Sequence, residues 1–254
     1  MGIMSERLRK LNTNVADILG SIEINENVLA VFAYTSHFEG LGTETSDIDV
    51  YVVVNSVDCI DYVRETQLFR VNILLINDAN LDVEYITIED FECSIKLLRE
   101  DPSKLCISTI KALNKIRVSD LLYSRDDNKS GFHDRIEVSK LKEATLKHYM
   151  IAANSSLQDA IALFREGEHI SSLELSRTTL KHLLGALNTA NDSINLTNKW
   201  IEKIFVVNGG YGYLQRYLDC VVYNSISAEN IESAVEDMIE LAQDIISGIY
   251  LESF

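Results

Sequence analysis

The sequence predicts two architectures in succession: an α+β region built on a small mixed sheet flanked by helices, then an all-helical bundle. Two patterns carry this. Up to about residue 125, runs rich in β-branched and aromatic residues, at 28–34, 47–54, 68–76 and 81–88, alternate with amphipathic segments. From residue 136 onward no such run appears, and apolar residues recur three and four apart nearly to the C-terminus. A third observation places the join. Residues 124–131, SRDDNKSG, are polar, charged and glycine-ended, which is linker chemistry. The expected domains are 1–125 and 126–254, with a soft boundary.

The elements follow in order. Leu8, Leu11, Val15, Ile18 and Leu19 recur at helical spacing, so 6–19 reads as one helix that Gly20 stops. Residues 28–34 form a strand, 35–40 a turn opening a short helix, and 47–54 a second strand. Residues 57–65 read as a short helix. The runs 68–76 and 81–88, joined by Asn77-Asp78-Ala79-Asn80, read as a hairpin. Helices are expected at 89–99 and 103–116, with Pro102 opening the second. The bundle comprises 138–165, 169–188, 196–206, 213–223 and 228–251, broken by Gly209-Gly210-Tyr211-Gly212.

Charge and composition narrow the function. A net charge of −16 without a Lys/Arg cluster argues against a nucleic-acid partner, because phosphate contacts need a basic face. The same acidity suits a cationic small molecule, or serves solubility alone. No apolar run reaches the roughly 20 residues that span a bilayer. The polar N-terminus lacks a signal-peptide centre, and nothing polybasic supports a lipid anchor on the Met-Gly start. Cys59, Cys93, Cys106 and Cys220 have no metal-site spacing. They read as reduced core thiols of a cytoplasmic protein.

The chemistry concentrates in YTSHFEGLGTETSDIDVYVVV, residues 34–54. In a strand, alternation puts Asp47 and Asp49 on one face and Ile48 and Val50 on the other. Two carboxylates side by side repel unless a cation joins them, and magnesium favours such oxygen ligands with waters and substrate phosphates. An exposed strand with two solvated aspartates is the alternative. Asp82 and Glu84 share a face of the later strand, so either could complete the set.

Tyr34-Thr35-Ser36, ten residues, Asp47-Ile48-Asp49-Val50, then Leu81-Asp82-Val83 resemble the signature of the nucleotidyltransferase superfamily, which shares the DNA polymerase β-like fold. With the helical second half, the chain looks like the aminoglycoside nucleotidyltransferases. The resemblance implies one or two Mg2+ ions held by Asp47, Asp49 and Asp82. It implies ATP or another NTP as donor, with Thr35 and Ser36 near its phosphates. Ser36 is equally an N-cap candidate. Asp82, or Glu84, would be the general base. Arg177 and Lys199 would contact the triphosphate from the helical domain, across a cleft; a solvated helix face is their alternative. Thr35 stands where the family usually has Gly, so the turn is expected to approach the phosphates less closely.

The implied activity is transfer of an NMP, as from ATP, to a hydroxyl or amine of a small polar acceptor, releasing pyrophosphate. The alternatives are an antitoxin-like nucleotidyltransferase acting on a partner protein, or a silent nucleotide-binding homologue. A homodimer is open. Arg177 and His182 also form an R-x4-H spacing that resembles the ribonuclease motif of HEPN domains, but with Thr178 where a polar Asn is typical. His37 could touch the nucleotide or simply be exposed. Trp200 could stack on a base or anchor a helix.

Overall fold

The computed structural model describes residues 2–58, 60–66, 68–125, 131–223 and 225–252. Residues 126–130, the centre of the expected linker, and Cys59 lie outside the described residues. The chain forms two compact units, Met1–Leu141 and Lys142–Phe254.

The first unit opens with two helices, α1 (Ile3–Lys10) and α2 (Val15–Ile22), where the apolar spacing predicts one. The reason is local. Asn12 takes a left-handed conformation (φ 51°). Asn14 and Asp17 then form a reciprocal capping box, each side chain accepting from the other's backbone N–H. Gly20 lies inside α2, which ends at the left-handed Glu23.

The sheet contains β1 (Val28–Tyr34), β2 (Ile48–Val54), β3 (Arg64–Glu65), β4 (Arg70–Ile76), β5 (Ala79–Thr87) and β6 (Asp120–Ser124). Its order is β3-β4-β5-β2-β1-β6. The β2–β5 pair is parallel and the other pairs are antiparallel. The expected β4–β5 hairpin is present, turning through Asn77 at φ 52°. Among the described residues of 57–65, the expected helix is absent. Val63 N–H donates to Val71 O, and Arg64 and Glu65 pair with β4, so edge pairing prevails over helical closure. Strand β6 was not legible as a strand; pairing with β1 makes it one.

After β5 come α3 (Ile88–Glu100), a 3-10 turn at Pro102–Lys104, and α4 (Ile107–Val118). One sheet face carries Val31, Ala33, Ile48, Val50, Val52, Val54, Leu81 and Val83. It packs with Met4, Leu8, Ile18 and Ile22 of α1 and α2. On the other face Phe32 meets Phe132, which meets Phe91 of α3, and Tyr51 meets Phe69. Both faces are closed by burial of apolar surface, the main favourable contribution to folding.

The second unit is helical among its described residues. It contains most of α5 (Val138–Arg165), then α6 (His169–Ala190), α7 (Ile201–Val207), α8 (Leu214–Tyr217) with a π turn at Leu218–Val222, and α9 (Ile231–Glu252). Leu180, Leu183, Leu184 and Leu187 of α6 are buried, as are Val235, Met238, Leu241 and Ile245 of α9. Helix α5 meets α6 through Ser172 Oγ, which donates to Ala160 O, and Thr179 Oγ1, which donates to Ser156 Oγ. A Cβ on Gly185 would stand 2.5 Å from the Tyr149 ring, so this helical position requires glycine. The expected break at 209–212 is present, with all four residues at positive φ. Cys93, Cys106 and Cys220 are free thiols, Cys93 exposed and the others partly buried, rather than core residues. Among the described residues, no helix is long and apolar enough to cross a membrane.

Candidate active site

The site is built where β1 turns into β2. Strand β1 ends at Tyr34, and Thr35 continues in extended conformation (φ −142°, ψ 146°). This is ordinary backbone for a β-branched residue, so Thr35 sits at the turn without strain. The Thr35 side chain is fully buried, and its Oγ1 lies 3.0 Å from His37 Nδ1. Ser36–Glu39 makes one 3-10 turn, closed by Gly40 at φ 69°. That is shorter than the helix expected, so little helix dipole is available to an anion.

The returning loop is fixed from three sides. Ser36 Oγ donates to Ser46 Oγ at 3.1 Å, and Ser46 Oγ accepts the Thr43 N–H at 2.8 Å. The buried Arg7 guanidinium of α1 donates to the carbonyls of Glu44 and Ser46. The His37 ring occupies the space beside Gly42, where a Cβ would come within 2.2 Å. Two serine hydroxyls are thus held together just before the aspartate strand.

Register then gathers the acids. Asp49 is paired with Tyr34 on one side and with Asp82 on the other. Tyr51 is paired with Glu84. Paired residues in a sheet share a face, so Asp49, Asp82 and Glu84 lie on the face that carries Tyr34 and Tyr51. Asp47, two residues before Asp49, is exposed at the strand's entrance, while Asp49 is only 8% exposed.

This concentration of charge, together with burial, bears on the pKa of its members. Burial, then the Asp49 and Asp47 carboxylates, push Asp82 above the usual carboxylate range. Burial and Asp49 push Glu84 up to about 7, against the pull of Lys115 and Lys111. Burial raises Tyr34, with Glu39 adding to it, and Tyr34 Oη donates to the Glu39 carboxylate. A compensating cation comes from α4. Lys115 Nζ donates to Asp49 Oδ1 at 2.7 Å and stands 5.1 Å from the centre of the Tyr34 ring.

Asp47, Asp49, Asp82 and Glu84 therefore gather at one region of the first unit, with Ser36 on the loop leading into it. The donor chemistry fits a magnesium-type ion, which takes hard oxygens from one or two carboxylates and completes its shell with water and phosphate. Among the described residues, no three His, Cys, Asp or Glu side chains stand together as a ready-made metal cage. Arg177 and Lys199 belong to the second unit. Arg177 pairs with Glu174 on its own helix at 2.9 Å, and Lys199 and Lys203 flank the Trp200 ring at 5.1 and 5.0 Å. Arg177 and His182, five residues apart on continuous α6, diverge by about 140° around the axis. Burial, with His148 and Lys181 nearby, lowers the His182 pKa.

Sequence reasoning missed Ser46, Arg7, Lys111 and Lys115. The signal for the two lysines was their separation by one helical turn, which puts them on one face of α4.

No protein-family model matches the chain, and no curated relative matches it. Among solved structures, the chain is similar to a nucleotidyltransferase-like protein from Exiguobacterium sibiricum 255-15. The two are 12% identical with a TM-score of 0.55, over 98% of this chain and 76% of that one. The mixed sheet followed by a helical region is thus a nucleotidyltransferase-like fold.

Proposed function

We propose that the chain is a metal-dependent nucleotidyltransferase that moves an NMP, from ATP or another NTP, to a hydroxyl or amine of a small polar acceptor. One observation carries the reading: the parallel pairing of β2 with β5 sets Asp49 opposite Asp82. Asp47 and the Ser36–Ser46 hydroxyl pair adjoin that same strand entrance.

Asp47, Asp49 and Asp82 are the residues that would hold Mg2+, one or two ions. When bound, the metal neutralises charge on the transferred and leaving phosphates. The protein does the rest by position, because phosphoryl-type transfers ask for little covalent chemistry from it. Ser36 and Ser46 offer hydroxyl donors to phosphate oxygens. Two carboxylates qualify to take the acceptor's proton. Asp82 is nearest in register to Asp49. Glu84, at about 7, is matched to proton transfer at neutral pH.

Incubating the protein with magnesium and each NTP, with and without aminoglycosides, and weighing the products tests this reading. An NMP adduct on a small molecule, lost in Asp47→Asn/Asp49→Asn, is the expected result. An adduct on a protein would transfer the assignment to a regulatory nucleotidyltransferase. No adduct and no calorimetric NTP binding would refute the enzyme reading.

A further inference from the structure

Lys115 bonds directly to a candidate ligand carboxylate, and the packing around it holds it there. The Lys115 and Asp49 side chains are each 12% exposed at a separation of 2.7 Å. Helix α4 buries Ile110, Leu113 and Ile116, so the core fixes the helix from which the lysine stem begins. The ring of Tyr34 supports the ammonium from below. Lys115 also bears on Asp82 and Glu84. The ammonium thus stands where one positive charge best offsets clustered acids.

A divalent ion on Asp49 and an ammonium on the same carboxylate repel strongly at such distances and burial. Both cannot stay. The lysine stem is flexible and its three donors rotate freely, so the ammonium can leave while the helix stays put. An anion must receive it, because a buried charge stripped of its partner is costly. The triphosphate that arrives with the metal is such an anion.

We propose that Lys115 is a two-position counter-ion. It holds Asp49 while the site is empty and transfers to the nucleotide's phosphate oxygens when a divalent ion takes Asp49. The proposal rests on the carboxylates being the metal and nucleotide site. Its consequence is coupling: metal alone binds weakly, nucleotide alone binds weakly, and each strengthens the other.

The test is Mn2+ binding followed by electron paramagnetic resonance on the full chain, without nucleotide and then with ATP. Lys115→Met keeps the stem against Tyr34 and removes the charge; Lys115→Gln keeps a neutral donor and serves if the first folds poorly. Either variant should bind Mn2+ alone about tenfold more tightly than wild type and bind ATP, at saturating Mn2+, about tenfold more weakly. Unchanged or weaker Mn2+ binding in the variants, while Asp49→Asn abolishes it in an otherwise wild-type chain, would overturn the switch and leave the site standing. Tighter Mn2+ binding with unchanged ATP affinity would also overturn it, since no transfer to phosphate would then occur. Mn2+ binding indifferent to Asp49→Asn, with or without ATP, would refute the site itself.

Discussion

The two units handle charge in opposite ways. In the first, the sheet register draws Asp49, Asp82 and Glu84 onto one face, and the group is close enough for its members to shift one another's titration. Among the described residues of the second, the ion pairs lie at the surface. Arg177 pairs with Glu174 within α6, and Arg216 pairs with Asp244. Exposed pairs of that kind contribute about 0–1 kcal/mol each and persist for solubility and helix support. Packing like acids together opposes folding, so the fold tolerates them only where burial elsewhere suffices. The contrast separates charges that a structure merely carries from charges that it has gathered, and the gathered ones lie in the first unit.

The largest effect should come from dismantling the gathered set. Asp49→Asn is expected to lower NMP transfer by at least about 10³-fold, because charge stabilisation in a dry site is usually the largest catalytic contribution. Steady-state transfer assays on matched, folded protein check this. Loss of Mg2+-dependent ATP binding in the same variant would tie the effect to the ligand set rather than to the base.

Glu84 offers a graded version of the same comparison. Its folded pKa of about 7 lies above the ordinary 4.5. Between those values the folded protein keeps a proton that the unfolded chain has released. Glu84 therefore lends stability that is fully present at low pH and is lost as pH rises through about 7, amounting to about 3 kcal/mol at most. Urea unfolding of metal-free protein at pH 5 and pH 8 should show this loss, and Glu84→Gln should remove it. A Glu84→Gln chain that keeps the same pH slope would place the strain on Asp82 instead.

How much of this could be read beforehand depended on whether the signal was local. Alternation alone placed Asp47 with Asp49 and Asp82 with Glu84, because a strand's period of two needs no knowledge of neighbours. Helices α5 and α6 were legible for the same reason at a period near four. The single helix expected at 6–19 failed because apolar spacing runs straight across the Asn12–Asn14 turn. The capping box that breaks it, Asn14 with Asp17, was present in the sequence as a competing local signal. Strand β6 and the β3 edge were illegible because only distant pairing makes those residues strands. Lys115 was illegible for a related reason. Its spacing from Lys111 marks a helix face, but only the packed sheet shows that the face covers Asp49.

Helix propensity gives a smaller test that bears on neither charge pattern. Gly20 lies inside α2 with open space where a Cβ would go. Gly20→Ala should stabilise the first unit by about 0.5–1 kcal/mol. Gly185→Ala in the second unit should do the reverse, because the added methyl meets the Tyr149 ring. Thermal unfolding of both variants checks the pair, and equal signs would contradict the packing described around Gly185.

The smallest expected effect is at Arg177. Its guanidinium is partly exposed and paired within one turn of its own helix. Arg177→Ala should therefore change stability by less than about 0.5 kcal/mol, the range of exposed helical pairs. The same variant also judges the phosphate role that the resemblance implies for Arg177. An arginine that merely decorates a helix leaves Mg2+–ATP affinity where it was, in calorimetry at fixed salt. One that clamps a triphosphate loses a charge-assisted contact and weakens ATP by tenfold or more, since hydrogen bonds to charged groups contribute about 1.5–3 kcal/mol. A weakened affinity with unchanged stability would mean that the second unit contributes to the chemistry as well. The division between carried and gathered charge would then run through side chains rather than between units.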